Sequence, residues 1–253
     1  MRIAFLFNYP LADNTPWKQR LIRTLRPDHE LFVVFGKTQP VDYYRGYLRR
    51  RQEDNVPQLG PAPQATERKR RTVDVLKELR VPIAKVQNVN DVACEKALLD
   101  FKPDFVVTAL DQLFSKERIG NLPIVLNTHY GVLPEVKGWN ATEWSLLVTG
   151  RLSVSLHRVV WPVDSGEIYI TRDIEVLPSD DFHSLYLKCQ DSAYEMYARF
   201  FSDPDRHVRE ARPNGPGKTY YVMNRQLKRQ IAEMIRAGRF SPEGGGAPST
   251  DVR

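Results

Sequence analysis

Cysteine is scarce: Cys94 and Cys189 are the only two in 253 residues. They fall in separate helix-like segments and neither sits at a paired metal-ligand spacing, which excludes a disulfide scaffold or a clustered-cysteine metal site. Both read as small buried hydrophobes. Long apolar runs are also missing, since nothing approaches the roughly 20 residues needed to cross a bilayer. The opening "MRIAFLFNYPLADN" turns polar too early for a secretory signal, so a cytoplasmic protein with no membrane partner is expected. Internal repeats are absent. So is a strong charge imbalance, because a formal net charge of +6 suits nucleic acid, a phosphorylated metabolite or no anionic partner at all.

What is present is the composition of a globular chain, with 42% hydrophobic and 27% charged residues, long enough for one large domain or a domain with an appendage. "RIAFLFN" has the length of a buried strand, "WKQRLIRTLR" has helical spacing, and "ELFVVFGK" closes a strand-helix-strand unit. "TVDVLKELR" and "DVACEKALLDF" then read as helices, and "DFVVTAL" and "IVLN" as strands. Such alternation predicts an α/β fold with an open, mostly parallel Rossmann-like sheet and helices on both faces. Its site belongs at the carboxyl ends of the strands. Further on, "RLSVSLHRVVW" and "EIYITRDIEV" read as strands flanking the turn "PVDSG", and "DFHSLYLKCQDSAYEMYARFF" as a long amphipathic helix. We expect a catalytic domain over 1–205, a small strand and basic helix over 206–240, and a disordered tail over 241–253.

Between the second strand and the next helix lies a proline-bearing basic stretch. There Tyr43, Tyr44 and Tyr47 stand beside Arg45, Arg49, Arg50 and Arg51. Stacking and charge would let it hold a nucleotide or nucleic acid. A solvated loop with a short basic helix explains it more simply.

The chemistry concentrates in "VLNTHYGVLPEVKGWNATEWSLL". Asn127 and His129 stand at the end of an apolar strand, and Asp164 lies in a turn farther along. Each has an ordinary structural role: an Asn-x-His at a strand end can cap a turn, and Asp before Ser-Gly is common turn composition. His157, between Leu156 and Val159, reads as a hydrogen-bonded packing residue. United, however, Asn127, His129 and Asp164 would form an acyl-transfer device. The His moves protons near neutral pH, the Asp orients it, and the Asn amide donates to an oxyanion.

Asn127-Thr-His129, Leu133-Pro134, Gly138, His157 and Asp164-Ser-Gly166 resemble the catalytic domain of formyltransferases that use N10-formyltetrahydrofolate. That resemblance covers the element order of about 1–200 and implies an Asn-His-Asp catalytic set on Asn127, His129 and Asp164, with no metal. "PDFVVTALDQLFSKE" is similar to the strand leading into the family's folate pocket, which implies donor contacts from Asp111, Gln112, Leu113 and Phe114. The strand and turn 157–164 imply further donor contacts from Val160 and Val163. "LPEVKGWNATEWSLL" is similar to the acceptor segment of nucleotide-sugar N-formyltransferases, which implies substrate contacts from Lys137, Gly138, Trp139, Asn140 and Trp144. Lys137 stands where Arg is expected, and a lysine lacks the planar fork for phosphate. Gly131 stands where the family usually has Ser, and Trp144 reads equally well as a helix residue packing on the sheet.

Other branches fit less well. "FNYPLADNTPW" has no glycine for the phosphate loop of the glycinamide ribonucleotide branch. The stretch after Asp205 is too short for the added barrel of the initiator-tRNA branch, and nothing precedes "RIAFLFN" that could be the regulatory domain of the hydrolases. The expected activity is transfer of a formyl group to a small-molecule amine, foremost a nucleotide-linked amino sugar, with a homodimer left open and nucleic acid disfavoured. Formylation of an amino-acid or hydroxylamine side chain, use of another one-carbon or acyl donor, and a non-enzymatic nucleic-acid binder are the alternatives.

Overall fold

A computed structural model describes residues 1–8, 15–36, 70–110 and 112–240. The Tyr/Arg stretch at 43–51, Asp111 and the tail from 241 lie outside the described residues. The first five strands are β1 (Arg2–Asn8), β2 (Glu30–Gly36), β3 (Ile83–Val86), β4 (Phe105–Ala109) and β5 (Ile124–His129), followed by β6 (Val136–Gly138), β7 (Leu152–Arg158), β8 (Ile168–Ile174) and β9 (Lys218–Tyr220). The main sheet has the order β3-β2-β1-β4-β5-β7-β8. It is parallel as far as β5, and β7 and β8 are antiparallel additions. The chain therefore builds outward from β1 in both directions, and the crevice of such a sheet opens at the carboxyl ends of its central strands.

The sequence of β1 shows why helices cover both faces. Ile3, Phe5 and Phe7 enter one core cluster while Ala4 and Leu6 enter the other, as the period of two in a strand requires. The first cluster is filled by Trp17, Leu21, Ile22 and Leu25 of α1 (Pro16–Leu25) and by Leu185, Cys189, Met196, Tyr197 and Phe200 of α6 (Phe182–Ser202). The second takes Cys94 and Leu98 of α3 (Val92–Phe101). Burying each such large side chain contributes about 1.5–3 kcal/mol. Both cysteines are buried and burial pushes each thiol up to about 12, so neither is a ready nucleophile.

Local signals set the helix ends. Pro16 opens α1 at a position that needs no backbone donor. Asp181 and Ser184 form a reciprocal capping box at the start of α6. The remaining helices are α2 (Thr72–Glu78), α4 (Lys116–Asn121), α5 (Ala141–Thr149), α7 (Pro204–Arg209) and α8 (Arg225–Arg236). In the small C-terminal strand and helix, Met223, Ile231 and Ile235 belong to the same core cluster as Phe5 and Leu21. Among the described residues no helix is long and apolar enough to cross a membrane.

Candidate active site

Register brings the first pair of polar groups together. β7 runs antiparallel to β5 so that Asn127 pairs with His157 and His129 with Ser155. The loop after β7 then returns along the sheet and sets Asp164 between the two histidines. Its Oδ2 lies 3.4 Å from His129 Nδ1 and its Oδ1 lies 3.6 Å from His157 Nε2. All three side chains are nearly out of solvent, with Asp164 7% exposed, His129 6% and His157 1%. Asn127, His129 and Asp164, 37 positions apart at their extremes, thus form one cluster.

Each polar atom in the cluster has an assigned neighbour. His129 Nε2 donates to the Val136 carbonyl at 2.8 Å, leaving Nδ1 toward the Asp164 carboxylate. Gly138 N–H donates to Asp164 Oδ2 at 2.8 Å. His157 Nδ1 donates to the Arg158 carbonyl at 2.8 Å, which leaves its Nε2 lone pair facing Asn127 Nδ2 at 3.5 Å. Burial pushes the His157 ring below its ordinary value, against the pull of the Asp164 carboxylate, and the nearby His129 works in the same direction as burial. Neutral His157 can then accept from Asn127. On the other side of that amide, Thr108 Oγ1 lies 3.5 Å from Asn127 Oδ1, so both ends of Asn127 have a defined neighbour.

Two cavities meet at this cluster. One, of ≈ 90 Å³, is lined by Asn127 and Asp164 together with Gln112, Leu113, Phe114, Val160 and Val163. Those last five are the described residues for which the sequence implies donor contacts. Its walls are mostly apolar, and the exposed Trp161 stands among them. The loop 112–115 is pinned from below: Gln112 Oε1 accepts from Val89 N, Asn90 Nδ2 donates to the Leu113 carbonyl, and Asn90 Oδ1 accepts from Ser115 N. The second cavity, of ≈ 350 Å³, is lined by His129, Gly138, Trp139 and Asn140 with the aromatic rings of Tyr130, Phe182 and Tyr186. Tyr130 and Tyr186 meet edge to face at 5.6 Å.

Two of the expected acceptor contacts are placed elsewhere. Lys137 is buried, and its ammonium donates to the Gly215 carbonyl at 3.2 Å and to Ser165 Oγ at 3.4 Å. Trp144 stacks on Tyr220 with ring centroids 4.7 Å apart, and its indole N–H donates to the Tyr221 carbonyl at 2.7 Å. Both are directed at the C-terminal segment rather than into the cavity, because β9 pairs in parallel with β6 and lies against them. Gly131 has a physical reason in this chain: a Cβ there would stand 2.7 Å from Ala141 Cβ and 2.9 Å from His129 Nε2. Sequence reasoning treats His157 as packing and passes over Thr108, Tyr130, Phe182, Tyr186 and Asn214. His157 is recoverable from strand pairing with Asn127, whereas the others carry no local signal.

The family model described as formyl transferase matches residues 2–201. A methionyl-tRNA formyltransferase of Coprothermobacter proteolyticus is 27% identical over 150 residues, an alignment covering 56% of this chain and 45% of that protein. The chain thus aligns with less than half the length of this relative. A sugar N-formyltransferase from a Shewanella species superposes with a TM-score of 0.57 at 14% identity, over 92% of this chain and 87% of that one. A phosphoribosylglycinamide formyltransferase from Anaplasma phagocytophilum superposes with a TM-score of 0.60 at 14% identity, over 87% and 99% of the two chains. At such identities the superpositions speak for the fold alone. The family match over residues 2–201, with the fold in agreement, places the chain in the formyl transferase family, whose members use N10-formyltetrahydrofolate as formyl donor.

Proposed function

We propose that the protein transfers a formyl group from N10-formyltetrahydrofolate to the amine of a small molecule, foremost an amino sugar carried on a nucleotide. The observation that carries this reading is the position of the Asn127–His129–Asp164 cluster at the junction of two cavities. An apolar slot with a few convergent polar groups suits a planar reduced folate. The larger cavity is within the usual size for a small ligand, and its aromatic walls suit a sugar or base ring.

The chain's own groups divide the work. His129 Nε2 is committed to the Val136 carbonyl, so Nδ1 is the working nitrogen. Its proton is shared with Asp164 and is available to the oxygen of the formyl group as charge develops there. Asn127 keeps one amide hydrogen for His157 and presents the other to the donor cavity, where it stabilises the same oxygen. Asp164, which accepts from Gly138 N–H and faces both histidines, accepts the proton released by the attacking amine and passes it toward the departing folate nitrogen. The C–N bond to the acceptor forms first, placing charge on the formyl oxygen, and collapse of that tetrahedral intermediate breaks the bond to the folate nitrogen, so no oxidant or reductant is needed.

A panel of nucleotide-linked amino sugars, free amino acids, hydroxylamines and methionyl-tRNA, each incubated with the donor, tests the assignment. Formylation of a nucleotide-linked amino sugar is expected. Transfer to methionyl-tRNA alone, the acceptor after which the Coprothermobacter relative is named, would replace the acceptor class and keep the donor. Absence of binding by any reduced folate would overturn the reading as a whole.

A further inference from the structure

The segment 212–223 lies beyond the residues that match the family model, yet it touches the catalytic cluster directly. Arg212 bridges to Ile168 through reciprocal backbone hydrogen bonds of 2.9 and 3.0 Å. Asn214 Nδ2 donates to two carbonyls of the turn that carries Asp164, those of Asp164 itself at 2.8 Å and Gly166 at 3.1 Å. Gly215 accepts from Lys137, whose ammonium also reaches Ser165. Gly217 passes so close to Pro134 that a Cβ would fall 1.6 Å from its carbonyl oxygen. Finally Tyr220 accepts from Trp139 N at 2.9 Å, and β9 pairs with β6.

Asp164 adopts φ +53, a left-handed conformation uncommon among non-glycine residues, though aspartate takes it more readily than most. The carbonyls of Asp164 and Gly166 both accept from the Asn214 amide, which supplies both hydrogens. Its Oδ1 is buried without a partner among the described residues, so the two carbonyls are what orients the amide. The side chain at the other end of this arrangement is the Asp164 carboxylate, aimed at His129 and His157.

We propose that Asn214 is a positioning residue for the catalytic cluster: by donating to both carbonyls of the turn it holds the Asp164 carboxylate in reach of the two histidines. The kinetic half of the inference rests on the formyltransferase reading above, and the spectroscopic half does not.

The test uses Asn214→Ala, which removes both donors, and Asn214→Asp, which keeps the size but sets a carboxylate against two carbonyls. Ring nitrogen NMR of His129 and His157, recorded with no ligand, should show both variants displaced from wild type in the same direction as Asp164→Asn recorded alongside. Turnover should fall roughly tenfold or more through misplacement of the carboxylate, with the KM for the donor little changed and Asp at least as damaging as Ala. Histidine signals identical to wild type in a folded variant would overturn the proposal. So would an Ala variant worse than Asp, which would assign the effect to lost volume, and so would failure of both variants to fold, which would assign the amide to the fold rather than the site. If the wild type transfers no formyl group, the histidine signals still decide on Asn214.

Discussion

The smaller cavity, in our reading the donor's, is walled by the end of β4, the loop after it and the loop between β7 and β8, segments that sheet register and the short links from Asn90 bring side by side. The larger cavity, in our reading the acceptor's, is walled by residues 138–143 and the start of α6, and its floor depends on chain some 80 positions away: Trp139 donates to Tyr220, Met223 N donates to Asn140 Oδ1 at 3.0 Å, and Trp144 is clamped to Tyr221. The C-terminal segment therefore braces the first side at one turn, through Asn214, and the second at three residues, Trp139, Asn140 and Trp144. The contrast teaches that the donor side should withstand changes that loosen the acceptor side, and that residues between the cavities should fail for both.

The largest loss is expected where the two sides meet. Asn127→Ala and His129→Ala should each reduce turnover by about a hundredfold or more, as removal of an oxyanion donor does. Folding should persist because neither residue fills the core clusters. Steady-state kinetics with unfolding curves on the same samples checks both halves. Next comes Gly131→Ser, which forces a side chain against Ala141 and His129 Nε2. Overpacking of this kind costs about 1–3 kcal/mol, and turnover should drop with the displaced imidazole while folate binding, read by calorimetry, stays near wild type.

The donor contacts entered through the resemblance rather than from strand ends, and Gln112, Leu113, Phe114, Val160 and Val163 do line one cavity with Asp164. Of the acceptor contacts that the resemblance implied, some are gathered at one cavity and others are not. Gly138, Trp139 and Asn140 line the cavity, but Lys137 and Trp144 face β9 and the residues after it, and nothing in residues 133–147 announces a partner in 215–221. The sheet was readable from buried runs such as "RIAFLFN". The antiparallel turn of β7 was not, since a strand's direction depends on its connection rather than on its own residues. His157 followed the same logic: its neighbours say strand, and only register says that it faces Asn127.

Smaller effects sharpen the comparison. Trp144→Phe keeps the ring against Tyr220 but removes the hydrogen bond to the Tyr221 carbonyl, a contribution of about 1 kcal/mol. A rise of a few fold in the KM for the acceptor, with no change for the donor, is expected, and equal changes in both would dissolve the distinction between the sides. The smallest effect concerns His157, whose folded-state value lies below its ordinary one. As pH falls through about 6.5, the unfolded chain takes up a proton that the folded chain refuses, so this group's share of stability is full above that point and declines below it. Urea midpoints measured from pH 7.5 to 5 should show a shallower decline in His157→Asn than in wild type.

Carbon-13 NMR of a reaction containing donor labelled in its formyl group tests the catalytic assignment most directly. With wild-type protein and a nucleotide-linked amino sugar, the label should leave the folate and appear as a formamide on the acceptor. With Asp164→Asn the same transfer should be slower by about a hundredfold at unchanged folate affinity. Label that stays on the folate across the whole acceptor panel, or transfer by Asp164→Asn at the wild-type rate, would contradict the role given to the Asn127–His129–Asp164 cluster.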